Sequence, residues 1–197
     1  MVMSVEGVVL AAGASSRTAP ENKLALPLAG HSVLERSLQG MRPFCDHIYV
    51  VTGFFSAAVE GILKEYKDIT LVYNPEYEAG MYRSVKAGLI RTHADAVFLL
   101  PGDCPFADAE VYRALLSTTG DVVVPLWRGR AGHPVLLRHP AVTALLADRN
   151  CGSLRAYISA WGPAQVEVDC PGILKDIDTQ EDYRAALESS VVQEGGL

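Results

Sequence analysis

The stretch GVVLAAGASSRTAPENKLALPL, Gly7 to Leu28, decides how the chain is read. Val8-Val9-Leu10 looks like a buried strand, and it runs directly into the small residues Ala11-Ala12-Gly13-Ala14-Ser15. Two spaced cations, Arg17 and Lys23, follow in a loop without an apolar period. A phosphate chain held by backbone N–H groups needs a close approach to the main chain, which side chains beyond Cβ would block. Gly13 and its neighbours allow that approach, while Arg17 and Lys23 offer charge-assisted contacts to different phosphates. The loop is neither a Walker A motif nor Gly-x-Gly-x-x-Gly. From the loop alone, a glycine turn with surface cations reads equally well.

Composition narrows the choice. The chain has 197 residues, 49% of them apolar, which fits one domain over residues 1–197 with one sizeable core. Only the last few residues have the composition of disorder. The apolar runs fall far short of the roughly 20 residues a membrane helix needs. Met1-Val2-Met3-Ser4 lacks a basic start and an apolar stretch, so a cytoplasmic protein without a membrane partner is expected. A formal net charge of −6 argues against nucleic acid as the partner. Cys45, Cys104, Cys151 and Cys170 stand far apart, which suits neither a zinc site nor a disulfide framework. They read as buried or half-buried thiols.

Outward from the opening strand, short apolar runs alternate with helical periods. Strands are expected at Glu6–Leu10, His47–Thr52, Ile69–Tyr73, Ala96–Leu100, Asp121–Pro125, His133–Leu137 and Ala164–Asp169. Continuous runs such as Val97-Phe98-Leu99-Leu100 imply strands covered on both faces, as in a parallel sheet. Leu34, Leu38 and Met41 share a helix face, and Ser32-x-x-Glu35 reads as its capping box. Further helices are expected at Ala57–Tyr66, Met81–Arg91, Asp108–Leu116, Ala141–Ala147, Leu154–Ala160 and Thr179–Leu187. The alternation predicts an α/β fold, a doubly wound, mostly parallel sheet of about seven strands with helices on both faces.

In such a sheet, ligands sit beyond the carboxyl ends of the strands. Those ends carry the small-residue loop, Gly53, Asn74-Pro75, Pro101-Gly102-Asp103 and the turn Arg128-Gly129-Arg130-Ala131-Gly132-His133-Pro134. Small residues, one acid and several cations on one rim suit a nucleotide with a metal.

Leu10-Ala11-Ala12-Gly13-x-Ser15-x-Arg17, followed by Lys23-Leu24 and Leu26-Pro27, resembles the opening of nucleotidyltransferases that release pyrophosphate from a nucleoside triphosphate. More narrowly, the chain resembles the molybdenum cofactor cytidylyltransferase family. Four further segments match in order: Asn74-Pro75-Glu76-Tyr77-Glu78-x-Gly80-Met81-x-x-Ser84-Val85-x-x-Gly88-Leu89, Pro101-Gly102-Asp103-x-Pro105, Gly132-His133-Pro134-Val135-Leu136 and Asp176-Ile177-Asp178-Thr179-x-Glu181-Asp182. The match spans nearly the whole chain. Two places depart from it, Thr18-Ala19 where the family commonly has Met-Gly, and Cys151 to Arg155 where it usually has Gly-Ala-Arg.

The resemblance implies a nucleotide-diphospho-sugar transferase-like fold and Mg²⁺-dependent transfer of CMP from CTP to the terminal phosphate of molybdopterin. It makes Arg17, Lys23 and Asp103 the catalytic groups, with Asp103 and Asp178 as metal ligands. Nucleotide contacts fall to Leu10, Ala11, Ala12, Gly13, Gly80, Ser84 and Gly102, and His133 lies on the acceptor side. It also implies a molybdoenzyme or chaperone partner. Bland readings stand beside these: Asp103 as a turn or N-cap before the helix at Asp108, Asp178 as a helix start, and His133 as a packed histidine. Met81, Val85 and Leu89 read as core at helical spacing. His31, His47, His93 and His139 read as surface residues. Other acceptors, such as a sugar, polyol or choline phosphate, and a nucleotide-binding chaperone without turnover are the alternative functions.

Overall fold

Alternation along the opening strand splits the hydrophobic residues between two layers. The computed structural model describes residues 3–14 and 22–194. Strand β1 (Val5–Ala11) sends Val5, Val9 and Ala11 into one apolar cluster and Val8 into another on the opposite face. Successive side chains on a strand point to opposite faces, so a strand buried on both must be apolar throughout. Val8 and Val9 are each fully buried.

The chain continues through a two-strand ribbon, β2 (Pro27–Leu28) and β3 (His31–Ser32), into α1 (Val33–Met41). Then come β4 (His47–Thr52), α2 (Ser56–Leu63), β5 (Ile69–Tyr73) and α3 (Met81–Leu89). Next are β6 (Ala96–Pro101), α4 (Ala109–Ser117), β7 (Val122–Trp127), β8 (Arg130–Ala131) and β9 (Val135–Arg138). The final elements are α5 (His139–Ala147), α6 (Leu154–Trp161), β10 (Ala164–Glu167) and α7 (Gln180–Glu194). The main sheet runs β10-β7-β9-β6-β1-β4-β5, with β8 hydrogen-bonded to β7. Strands β6, β1, β4 and β5 are mutually parallel, and β10 is parallel to β7, while β9 is antiparallel to both neighbours. The architecture is therefore mixed α/β with a mainly parallel central sheet, as the alternating pattern predicts.

Three local features differ from the sequence reading. The strand expected from His133 begins at Val135, because the His133 N–H is donated to the Ile173 carbonyl at 2.8 Å and Pro134 has no donor to give. The cations of the turn after β7 do not gather with the other polar groups. Arg128 (φ 50°) and Gly129 (φ 74°) form a two-residue hairpin turn between β7 and β8, and the Arg128 guanidinium stacks 4.7 Å from the Trp127 ring centre. Met81, read as core, is 63% exposed at the first turn of α3, whereas Val85 and Leu89 are fully buried. The capping box of α1 forms as expected, with the Glu35 N–H on Ser32 Oγ at 3.2 Å and the Ser32 N–H on Glu35 Oε2 at 2.7 Å. Cys104 and Cys170 are buried, and Cys45 and Cys151 are half-buried free thiols.

Helix α3 lies close against the sheet because Gly88 has no side chain. A Cβ there would stand 2.4 Å from Val8 Cγ1 and 2.9 Å from Val51 Cγ2. Alanine would favour the helix intrinsically by up to about 1 kcal/mol. Both neighbours are rigid β-branched residues with no exposed surface, so overpacking outweighs that gain. Gly88→Ala is expected to lower stability by about 1–3 kcal/mol, read as an earlier denaturant midpoint at unchanged slope.

Candidate active site

Beyond the carboxyl end of β1 the chain opens a cavity of about 310 Å³. Its first wall is the opening loop itself, Leu10, Ala11, Ala12, Gly13 and Ala14. Ala11 and Ala12 are buried, and among the described residues nothing lies within 4 Å of where a Gly13 Cβ would stand. No contact with the described residues therefore demands glycine there, and Gly13 borders the cavity directly. Arg17 and the Thr18-Ala19 departure lie outside the described residues.

Lys23 closes the cavity from a single 3₁₀ turn, Lys23–Ala25. The turn is fixed at its start by the Asn22 side chain, which accepts from the Leu24 N–H at 3.1 Å, and by Leu24, whose side chain is buried. The ribbon after it is anchored by buried Leu28 and by the Tyr183 hydroxyl, which donates to the Pro27 carbonyl at 2.5 Å. The loop thus presents Lys23 on a rigid stem.

The Lys23 ammonium sits between two carboxylates, 2.5 Å from Asp103 Oδ2 and 2.6 Å from Asp178 Oδ1. Asp103 follows the end of β6, where the Gly102 N–H is donated to the Leu10 carbonyl at 2.9 Å and locks it beside the opening loop. Asp178 arrives from far along the chain because the Ile177 N–H is donated to the Asp103 carbonyl at 2.9 Å. Neither acid is spent on a helix start. The cap of α4 is Asp108, which accepts from the Val111 N–H, and that of α7 is made by Thr179 with Asp182. A third acid, Asp176, is close enough to feel both. Burial, together with the charges of Asp178 and Asp103, raises its pKa above the usual carboxylate range. Burial alone would favour a neutral Lys23, but Asp103 and Asp178 outweigh it and raise the amine's pKa, so the ammonium is held charged.

Helix α3 supplies the opposite wall through Met81 and Ser84. Ser84 is 3% exposed and accepts from Asn74 Nδ2 at 3.0 Å, so the Asn74-Pro75 segment after β5 serves to fix it. Tyr77 also lines this wall, and the sequence reading did not assign it. A Cβ on Gly53 would stand 2.6 Å from Tyr77 Cβ and 2.6 Å from the Ala12 carbonyl, so the glycine after β4 was the available signal. Leu24 and Pro101 line the cavity as well.

Three assigned residues stand apart from this cavity. Gly102 is a packing glycine; a Cβ there would meet the Leu10 carbonyl at 3.1 Å and Leu34 at 3.2 Å. Gly80 (φ 104°) and His133 line a second cavity of about 870 Å³, together with Tyr82, Ser153 and Arg155. Met81 is common to both. Burial lowers the His133 pKa, against a smaller opposing pull from Asp103, which keeps the imidazole neutral and places it within electrostatic reach of the acidic centre. Among the described residues that line the first cavity, Lys23 is the one cation.

Comparison with known proteins places the chain in a family. Residues 7–166 match the family model described as MobA-like NTP transferase domain. The chain is 30% identical over 186 residues to the molybdenum cofactor cytidylyltransferase of Escherichia coli K12, covering 94% of this chain and 96% of that one. It is also 30% identical over 191 residues to the purine catabolism protein PucB of Bacillus subtilis, covering 90% and 93% of the two chains. The solved structure of a nucleotidyl transferase from Methanothermobacter superposes with a TM-score of 0.83 at 23% identity, covering 98% of this chain and all of that one.

Proposed function

The chain belongs to the MobA-like NTP transferase family and is a nucleotidyltransferase, and from that premise we propose that it moves CMP from CTP to the terminal phosphate of molybdopterin. The observation that carries the reading is Lys23 held between Asp103 and Asp178 at the mouth of a cavity walled by small residues. Its likeness to the cytidylyltransferase of E. coli over nearly the full length of both chains supports the choice of base and acceptor.

The chemistry asks little proton transfer of the protein. A phosphate monoester has its second pKa near 6 and is ionised at neutral pH, so an oxygen of the acceptor phosphate attacks the α-phosphorus without a general base. The bond from that phosphorus to the bridging oxygen breaks, and pyrophosphate leaves with the electron pair. What the site must supply is alignment of two anions and stabilisation of charge on the α-phosphate and the leaving group. Backbone N–H groups from Ala11 to Ala14 face the phosphates, and Lys23 and Arg17 neutralise them. Ser84 and Tyr77 border the base and ribose.

The residues present fit a divalent cation. Asp103 and Asp178 already share one cation, the Lys23 ammonium, and Asp176 leaves the cluster with an excess of negative charge. Asp103 and Asp178 would hold Mg²⁺, whose hard, oxygen-seeking charge polarises phosphate oxygens. Two carboxylates suffice where substrate phosphates complete the ligand set.

Ala12 sets the base preference. The guanylyl-transferring relatives resemble Leu-Ala-Gly-Gly here, and the methyl group of buried Ala12 leaves a narrower slot suited to cytosine. Ala12→Gly is expected to raise kcat/KM for GTP relative to CTP. A size difference of this kind is worth about 1–3 kcal/mol, so the parent preference is strong without being absolute. Equal kcat/KM for the two nucleotides in the parent would contradict it.

Pyrophosphate release in the presence of Mg²⁺ and CTP tests the whole reading. Molybdopterin is expected to trigger it, and sugar, polyol and choline phosphates are not. Turnover with one of those instead would transfer the activity to another acceptor. CTP binding without turnover on any acceptor would make the protein a nucleotide-binding chaperone.

A further inference from the structure

The two ends of the main sheet are finished differently. At one end β10 follows Pro163 and carries Glu167, a proline and a charge of the kind that keep a sheet edge from pairing with another chain. At the other end stands β5, whose residues Ile69-Thr70-Leu71-Val72-Tyr73 include no charge, proline or glycine. Its pairing with β4 is continuous over the whole strand, so no bulge turns the edge away.

The register shows which hydrogen-bonding groups are free. The Ile48 N–H is donated to the Asp68 carbonyl at 3.0 Å and the Asn74 N–H to the Thr52 carbonyl at 2.9 Å, so Thr70 and Val72 between them also bond toward β4. The alternate residues, Ile69, Leu71 and Tyr73, turn their N–H and C=O groups outward, where they have no backbone partner among the described residues. This row is symmetric about Leu71. An antiparallel second copy of the strand therefore completes it, with Ile69 opposite Tyr73 and Leu71 opposite Leu71, each pair exchanging both bonds. A shifted register leaves part of the row unpaired.

Side chains and charges agree with that arrangement. Ile69 and Leu71 are half-buried on the α2 side, and Tyr73, 59% exposed, continues their row, so its ring covers Ile69 of the second copy. On the other face Ile90, 65% exposed at the end of α3, borders a groove beside Thr70 and Val72. Before the strand, Lys64, Lys67 and Arg42 outnumber Glu65 and Asp68; after it, Glu76 and Glu78 outnumber Arg83. Antiparallel pairing sets the positive flank of one copy beside the negative flank of the other.

We propose that β5 is a dimer edge, at which two copies of this chain join antiparallel about Leu71 and their main sheets become one. The cavities beyond the carboxyl ends of β1 and β6 then face opposite directions, and both stay open. A short strand from each copy places the interface in the small class, below about 1,200 Å², so a reversible dimer is expected.

Sedimentation velocity of the full chain over a concentration series, beside residue-resolved amide hydrogen exchange, tests this. The parent is expected to pass from monomer to dimer between about 1 and 200 μM. Over that range the Leu71 N–H is expected to gain about tenfold protection, while the Thr70 and Val72 amides, bonded to β4, are protected throughout. Thr70→Lys combined with Tyr73→Lys puts a lysine on each face of the edge and gives up only an exposed hydrogen bond to His47. The double variant is expected to keep the melting temperature of the parent monomer and to dimerise at least about tenfold more weakly. A parent that stays monomeric over the whole series overturns the proposal. So does a dimer whose Leu71 N–H exchanges as fast as in the monomer, or one that the folded double variant forms as tightly, since either joins through another surface. If the double variant does not fold, the Leu71 exchange of the parent still decides.

Discussion

Asp103→Asn is expected to lower turnover by a factor of about 10² or more while the protein keeps its fold, because one carboxylate contact acts on charge that peaks in the transition state. Asparagine has nearly the same shape and still offers an oxygen, so the turn after β6 and its bond from Ile177 persist. Two electrostatic changes oppose each other in the free protein. Lys23 loses one of its two carboxylates, but Asp176 and Asp178 lose a like charge that crowds them. The melting temperature is accordingly expected to stay close to the parent value. CTP affinity should fall far less than rate, since the loop amides and Lys23 remain. Calorimetric titration of CTP beside a pyrophosphate-release assay makes the comparison. Normal turnover of Asp103→Asn at limiting Mg²⁺ would make Asp103 structural and move the metal to Asp176 and Asp178.

Lys23→Met should move two observables in opposite directions. Turnover is expected to drop about tenfold to a hundredfold, the worth of one charge-assisted phosphate contact of roughly 1.5–3 kcal/mol. In the nucleotide-free protein, however, the Lys23 ammonium occupies the place between Asp103 and Asp178 that a divalent cation would take. Removing it leaves two carboxylates without their shared cation, so Mn²⁺ followed by its electron paramagnetic resonance signal is expected to bind more tightly to Lys23→Met than to the parent. Methionine preserves the length and apolar character of the half-buried stem, which keeps the 3₁₀ turn seated on Leu24. Weaker or unchanged Mn²⁺ binding in the variant would show that the two acids do not form the metal site.

How much of this was written in the sequence differs from element to element. Periodicity was enough for the sheet, because β1 and β6 are apolar on consecutive residues, and Gly88 lies at the spot where α3 meets β1 and β4. It was blind to β2, β3 and β8, whose two residues each carry no period at all. It also misjudged Met81, since helical spacing says which residues share a face but not where the helix projects beyond the sheet. The site was legible where chemistry follows a strand end directly, as with Gly13 after β1 and Asp103 after β6. Asp178 could not be separated from a helix start by sequence, because the deciding fact is that Thr179 and Asp182 cap α7 between themselves. Tyr77 was hidden for a related reason. It is an ordinary aromatic in the sequence, and only the close approach over Gly53 marks it.

In the proposed reaction the atom transferred is the α-phosphorus of CTP and the receiver is a pterin phosphate. A single turnover with CTP radiolabelled at the α-phosphate, molybdopterin and Mg²⁺ reads this directly. The label is expected in a pterin–cytosine dinucleotide, formed in proportion to unlabelled pyrophosphate and lost in Asp103→Asn. Label that remains in CTP, or that leaves as free CMP at the same rate with and without molybdopterin, would contradict CMP transfer to the pterin.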